Sequence, residues 1–279
     1  MLLSLRTAAR TKLPSTISHR RPSAAVLIRK PISVSYFRSP LSSIRMSSSN
    51  FHSNPSANQI IEHIVLFKVK PDADPSAVDA MISNLNGLIS LEPVVHISAG
   101  AVSRSRSNSL AFTHMLHSRY RSKTDLLSYS EHPIHVSVVS NYVKPVVEDI
   151  MAVDWIADDF SGSTTVSPGS AMRLTVSKLK EGVAECGKSE LLRVAMRMKE
   201  KFPSIEQMTA GENFSPGRAK GFSICSIAVF KGMRELEELD SATDAANEQN
   251  DTVREFVDAV LVLDYTVAEA AAAVQTASI

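Results

Sequence analysis

The sequence predicts an α+β protein: two tandem ferredoxin-like modules whose sheets pack face to face around one barrel-like core. Three observations carry this. Shifted by 110 residues, the chain falls on itself: Phe112 meets Phe222, Asp154-Trp155 meets Asp264-Tyr265, and the apolar run opening at His63 meets the run opening at Arg173. Two copies at so long a period mean duplicated domains, not a solenoid. Within a copy the hydrophobic period switches in the order β-α-β-β-α-β, the ferredoxin-like order. The first strand is apolar on both faces, which requires cover on both sides.

In the first copy, Glu62 to Lys70 reads as that strand. His63, Val65, Phe67 and Val69 share one face, with Ile64 and Leu66 on the other. Pro71 ends it. Asp74-Pro75 then opens a helix in which Val78, Met81, Ile82, Leu85, Leu88 and Ile89 form one stripe, stopped by Glu92-Pro93. Val94 to Val102 and Leu110 to Tyr120 follow as strands joined by the polar hairpin Ser103 to Ser109, whose Arg104 and Arg106 are expected to face solvent. A short helical piece from about Lys123 leads to Pro133, a residue suited to a first helical position. From there Val136, Val139, Val143, Val146, Val147 and Ile150 recur at helical spacing, so a long helix is expected, and Ile150 to Ile156 closes the module as a strand.

Helices on one face of each sheet leave the other face apolar. Two copies can cover each other there, as an intramolecular pseudo-dimer or through a swapped homodimer. The divisions expected are an arm at 1–58, modules at 60–158 and 170–268, a Ser/Thr/Gly/Pro linker at 159–169 and a tail at 269–279.

The arm sets the charge balance. Residues 1–61 hold nine Arg and Lys and no acid, so a net charge of +1 leaves the remainder at −8, which argues against nucleic acid as a partner. An acid-free arm rich in Ser and Arg reads as an organellar transit peptide, with a basic tail lacking an address as the alternative. Plastid is the first expectation, with peroxisome or mitochondrion as alternatives. Initiation at Met46 would delete most of the arm, and the ending Ala277-Ser278-Ile279 is a loose relative of a peroxisomal tripeptide. No apolar run approaches the roughly eighteen residues needed to span a bilayer. Cys186 and Cys225 match no metal or redox spacing and are expected to stay reduced.

The stretch from Tyr129 to Val136 draws attention because it places Tyr129, His132 and His135 at a helix start. An imidazole near neutral pKa beside a tyrosine suits acid–base work, yet it equally suits a hydrogen-bonded cluster that pins a helix to a sheet. A zinc site from His132 and His135 lacks a third ligand at suitable spacing.

His63 with the strand Ile64 to Lys68, Glu92-Pro93, the Tyr129/His132-Pro133/His135 motif, Lys144-Pro145 and Val153-Asp154-Trp155 together resemble the stress-response A/B barrel domain family of dimeric α/β barrels. The two-copy layout with a basic arm is similar to its plant members. Most of the family has no assigned reaction and is associated with stress tolerance. One branch, the polyketide cyclases, closes a linear polyketide by intramolecular aldol condensation. That resemblance implies a catalytic set of His135 as base, Tyr129 assisting and His63 as the third member, with Val65, Phe67 and His132 around the ligand pocket. It also implies a magnesium ion held by the main-chain carbonyls of Leu85, Leu88 and Leu91. Three carbonyls match magnesium poorly, so such a site is expected to be incidental and no cofactor to be required.

In the second copy His63, Tyr129, His132 and His135 become Arg173, Leu239, Ala242 and Ala245. That copy is therefore expected to be structural, leaving a single polar site per chain. Three functions follow: a non-enzymatic, stress-associated barrel kept for stability or for binding a small apolar ligand, a cyclase-like lyase acting through Tyr129 and His135, or a pure interaction or assembly module, which fits the degenerate second copy.

Overall fold

The computed structural model describes residues 58–106, 110–242 and 254–268. The basic arm and its address, the C-terminal tail and Ala245 lie outside the described residues.

The first module runs β1 (Ile60–Val69), α1 (Pro75–Gly87), β2 (His96–Ser105), β3 (His114–Tyr120), α2 (Lys123–Glu131), α3 (Pro133–Val138) and β4 (Val147–Ala157). The second runs β5 (Ala171–Leu179), α4 (Glu185–Lys201), β6 (Ile205–Glu212), β7 (Ile224–Phe230), α5 (Met233–Ser241) and β8 (Val257–Thr266). Local chemistry starts the first-module helices. Asp74 accepts from Ser76 N at 2.8 Å with Pro75 behind it, Ser122 accepts from Asp125 N at 3.0 Å, and His132 Nδ1 accepts from Ile134 N at 3.2 Å ahead of Pro133.

The strands lie in the order β4-β1-β3-β2-β8-β5-β7-β6, antiparallel, and the two halves join where β2 pairs with β8. The free ends meet as well. Phe214 N donates to Asp154 O at 2.9 Å and Asp154 N donates to Asn213 Oδ1 at 2.9 Å, bringing the end of β6 onto β4. Inside the barrel thus closed, Ile64, Leu66 and Trp155 pack with Leu174, Ile227 and Leu263 as one core drawn from both modules. Outside, Ile61, Phe67 and Tyr120 pack under Met81, Leu85 and Tyr129, so β1 is covered on both faces as its pattern requires. The closure depends on a small residue: a Cβ at Gly211 would sit 2.8 Å from the backbone oxygen of Ile156. Gly211→Ala is expected to cost about 1–3 kcal/mol through overpacking, read as a fall in urea midpoint; an unchanged midpoint would refute the tight closure.

Three local expectations are corrected. The long helix after Pro133 is short: α3 ends at Val138, a π-turn covers Val139–Val143, and β4 has begun by Val147. Pro145 cannot supply the N–H that continuation needs, and Val147 to Ile150 find ladder partners on β1 instead. The stripe shifts accordingly, with Val138 and Val143 buried while Val136 and Ile150 are exposed. The hairpin after Val102 is strand as far as Ser105, because β8 offers it a partner across the module boundary. Arg104, expected in solvent, lies within that strand. Cys225 is buried and Cys186 exposed, both as free thiols, and burial pushes the Cys225 thiol pKa far up. Among the described residues no helix is long and apolar enough to cross a membrane.

Candidate functional site

Register brings the first site together. His63 and Asp154 lie opposite each other on β1 and β4, both buried, and His63 Nδ1 donates to Asp154 Oδ1. The other carboxylate oxygen accepts from Arg218 Nη2 of the second module at 2.8 Å. Burial pushes the Asp154 pKa up, but His63, Ser215 and Arg218 outweigh it and hold the group ionised. A carboxylate so placed fixes the tautomer and orientation of His63.

α2 and α3 lay the second part of the site over this pair. Tyr129 is buried, with its ring centroid 4.5 Å from His135, 5.2 Å from Tyr120 and 6.3 Å from His63. His135 is half-buried and donates from Nδ1 to Ser130 O at 2.9 Å, not to Tyr129 or His63, which leaves Nε2 as the basic nitrogen. Burial lowers its pKa and keeps it neutral, and burial pushes the Tyr129 hydroxyl far up. The structure thus gathers His63, Tyr129 and His135, while His132 serves as the α3 cap. Val65 and Phe67 sit on the same side of the sheet, packed into the helix-covered core. The cavities under α4, beside α1 and beyond the end of β4 are lined by none of His63, Tyr129 or His135.

The carbonyls of Leu85, Leu88 and Leu91 each already accept a backbone N–H, from Leu88, Leu91 and Val94 respectively. With no carboxylate among them, they fit magnesium poorly. Among the described residues no cluster of three or more His, Cys, Asp or Glu is arranged to hold a metal.

The second module repeats the geometry with other side chains. Arg173 takes the place of His63 opposite Asp264, donating from Nε to Oδ1 at 2.7 Å and from Nη2 to Oδ2 at 3.0 Å, and from Nη1 to Asp240 at 2.7 Å. Arg104, from the first module, reaches the same two acids at 2.7 Å each. Arg106 also pairs with Asp240, so neither arginine of the supposed solvent hairpin is idle. Beside Arg173 a cavity of about 170 Å³ opens between α4 and the sheet. Its floor holds Thr175, Ser177 and Ser226, which correspond to Val65, Phe67 and Leu116 of the first module. Smaller side chains leave open in one copy what larger ones fill in the other. The second copy thus carries a polar cluster of its own, Arg173 with Asp240 and Asp264, where a single polar site per chain was expected.

A further polar group, unforeseen from sequence, lies inside the barrel. Glu62 accepts from His117 Nε2 at 2.7 Å, Arg119 Nε at 3.1 Å and Thr209 Oγ1 at 3.1 Å, and Glu62, His117 and Arg119 are fully buried. Arg119 Nη1 continues to Gln207 Oε1 at 3.0 Å, tying β3 to β6. His117 and Arg119, two apart on one face of β3, were the available signal.

A duplicated β-α-β-β-α-β chain whose two sheets close one barrel, with a His–Asp pair under the helices of one half and an Arg–Asp pair in the other, is a dimeric α/β barrel with both halves on one polypeptide. The stress responsive A/B barrel domain family matches residues 61–157 and again 172–267, and the chain belongs to that family. It is 50% identical over 253 residues to a stress-response A/B barrel domain-containing protein of Arabidopsis thaliana, covering 91% of this chain and 90% of that one. It is 44% identical over 212 residues to a second Arabidopsis thaliana protein of the same description, covering 75% of this chain and 98% of that one. Among solved structures, an anthrone oxidase-like protein superposes with a TM-score of 0.53 at 13% identity, covering 77% of this chain and 93% of that one, a likeness of fold alone.

Proposed function

We propose that this protein is a stress-associated, non-enzymatic barrel that binds a small apolar ligand in its second module. The observation that carries the reading is the contrast between the copies. Under the first module's helices, Phe67, Leu116, Tyr120 and Tyr129 fill the space above the sheet; in the second, Ser177 and Ser226 leave a cavity walled by Leu191, Val194, Met198 and Leu239. Apolar walls with a few polar groups at one end suit a small apolar molecule with a polar tip.

The second reading is a cyclase-like lyase with His135 as base and Tyr129 assisting. It is favoured by the neutral His135 ring lying tilted against Tyr129, centroids 4.5 Å apart, and by Nε2 being left with its lone pair. One experiment separates the two. Compounds co-purifying with the full chain are profiled by mass spectrometry for wild type, Ala195→Trp, which fills the second-module cavity, and His135→Ala. A ligand lost only in Ala195→Trp supports binding in the second module. Loss only in His135→Ala, or turnover of a captured compound that stops in that variant, overturns it in favour of the first-module site.

A further inference from the structure

The second-module cavity lies between a sheet and α4, yet its floor is not the apolar surface that a helix-covered sheet ordinarily presents. Thr175 and Ser177 alternate with Leu174 and Val176 along β5, so the hydroxyls face α4 while the apolar pair enters the barrel core. In register, Ser226 of β7 stands directly opposite Thr175. The fold does not ask for hydroxyls here, since the first module builds the same positions from Val65, Phe67 and Leu116.

Ser177 and Ser226 are each 8% exposed, and among the described residues neither they nor Thr175 make a side-chain hydrogen bond. Their oxygens are not sealed in: all three residues line the cavity, and none of the three hydroxyls is closed to water. Buried hydroxyls without a protein partner call for one from the cavity, because each costs free energy when left alone. Charge narrows the choice. Arg173 is the one charged residue of the lining, and four of its five N–H groups are taken by Asp240 and Asp264. A carboxylate would find that guanidinium already neutralised, and an ammonium would be set beside it. No other lining side chain is ionisable, so the cavity can hold a molecule without an acid or base to transform it.

We propose that the ligand of this cavity is a neutral compound carrying two adjacent hydroxyls on an apolar body, with the hydroxyls seated on Thr175 and Ser226. This deepens the binding function proposed for the second module and rests on it. Directly opposed residues of an antiparallel pair hold their Cβ atoms about 5 Å apart, so two neighbouring ligand oxygens can each meet one protein hydroxyl. Every hydroxyl both donates and accepts, so the two pairs satisfy each other in either sense. Ser177, about 7 Å further along β5, is left to a water. Above the diol, Leu191, Val194 and Met198 of α4 cover the apolar body.

The test titrates the full chain with 2,3-dihydroxynaphthalene at neutral pH, followed by the fluorescence of the naphthalene ring. Saturable binding is expected, with naphthalene and 2-naphthoate binding at least about tenfold more weakly. Thr175→Val with Ser226→Ala removes both hydroxyls with little change of volume and is expected to bring the diol down to the level of naphthalene. Ala195→Trp is expected to abolish binding of all three compounds. Equal affinity for the diol and naphthalene, with both lost in Ala195→Trp, overturns the diol assignment and leaves the apolar cavity reading standing. No saturation by any of the three by about 1 mM, or binding that survives Ala195→Trp, overturns both. A preference for the diol that persists in the double variant, or 2-naphthoate binding as tightly as the diol, also overturns the assignment.

Discussion

Replacing Arg119 with methionine is expected to destabilise the folded chain by about 3–5 kcal/mol, the cost of leaving a buried carboxylate without its countercharge. Glu62 and Arg119 are both fully buried inside the barrel, and Arg119 also holds Gln207 of the second module. The Glu62 side chain would keep His117 and Thr209 as hydrogen-bond partners but lose the guanidinium charge bonded to it. Removing both charges together, as Glu62→Leu with Arg119→Met, is expected to recover much of the loss, since an apolar pair carries no desolvation cost. Urea unfolding followed by the fluorescence of Trp155, the single tryptophan and fully buried, reads both variants. A loss under about 1 kcal/mol for Arg119→Met would show the pair to be solvated and the barrel open at that end.

The second large effect is acid sensitivity that begins well above the carboxylate range. Burial, with His117 and Arg119 adding to it, pulls His96 down to about 3, and burial also lowers His117. A histidine depressed in the folded state contributes stability that is complete above its unfolded value, near 6.5, and is lost as pH falls towards its folded value. For His96 the window therefore runs from about 6.5 down to about 3, with a slope of up to about 1.4 kcal/mol per pH unit. Glu62 adds its own loss only below the usual carboxylate range: burial pushes its pKa up, but Arg119 and His117 outweigh that and hold the carboxyl far down. The urea midpoint should thus decline between pH 6.5 and 5, and His96→Leu should flatten the decline. A midpoint that is level from pH 7 to 5 in the wild type would refute it.

Parts of the site were legible in the sequence and parts were not. Tyr129, His132 and His135 stood out because they fall together at a proline-marked helix start, and the structure does place Tyr129 and His135 side by side. The partner of His63 did not stand out, although the repeat held the clue. Asp154 recurs as Asp264 while His63 changes to Arg173, the pattern of one acid keeping a basic partner across the sheet. The clasp of Arg104 and Arg106 on Asp240 and Asp264 was hidden because it joins residues more than 130 apart, in different modules. Glu62, His117 and Arg119 were hidden because alternation assigns a residue to a face without saying what the face meets.

What the sequence determined by itself was the module and its duplication. Period-two and period-3.6 patterns are local consequences of backbone geometry, and a 110-residue self-match needs no coordinates. The tertiary structure alone decided how the copies differ. Whether the space above a sheet is filled or empty depends on the summed volume of side chains arriving from several strands and a helix: Phe67, Leu116 and Tyr129 close it in one module, and Ser177, Ser226 and Leu239 leave it open in the other. The tyrosine–histidine stretch that the sequence puts forward lies over the packed module, and the cavity lies in the copy that had lost it.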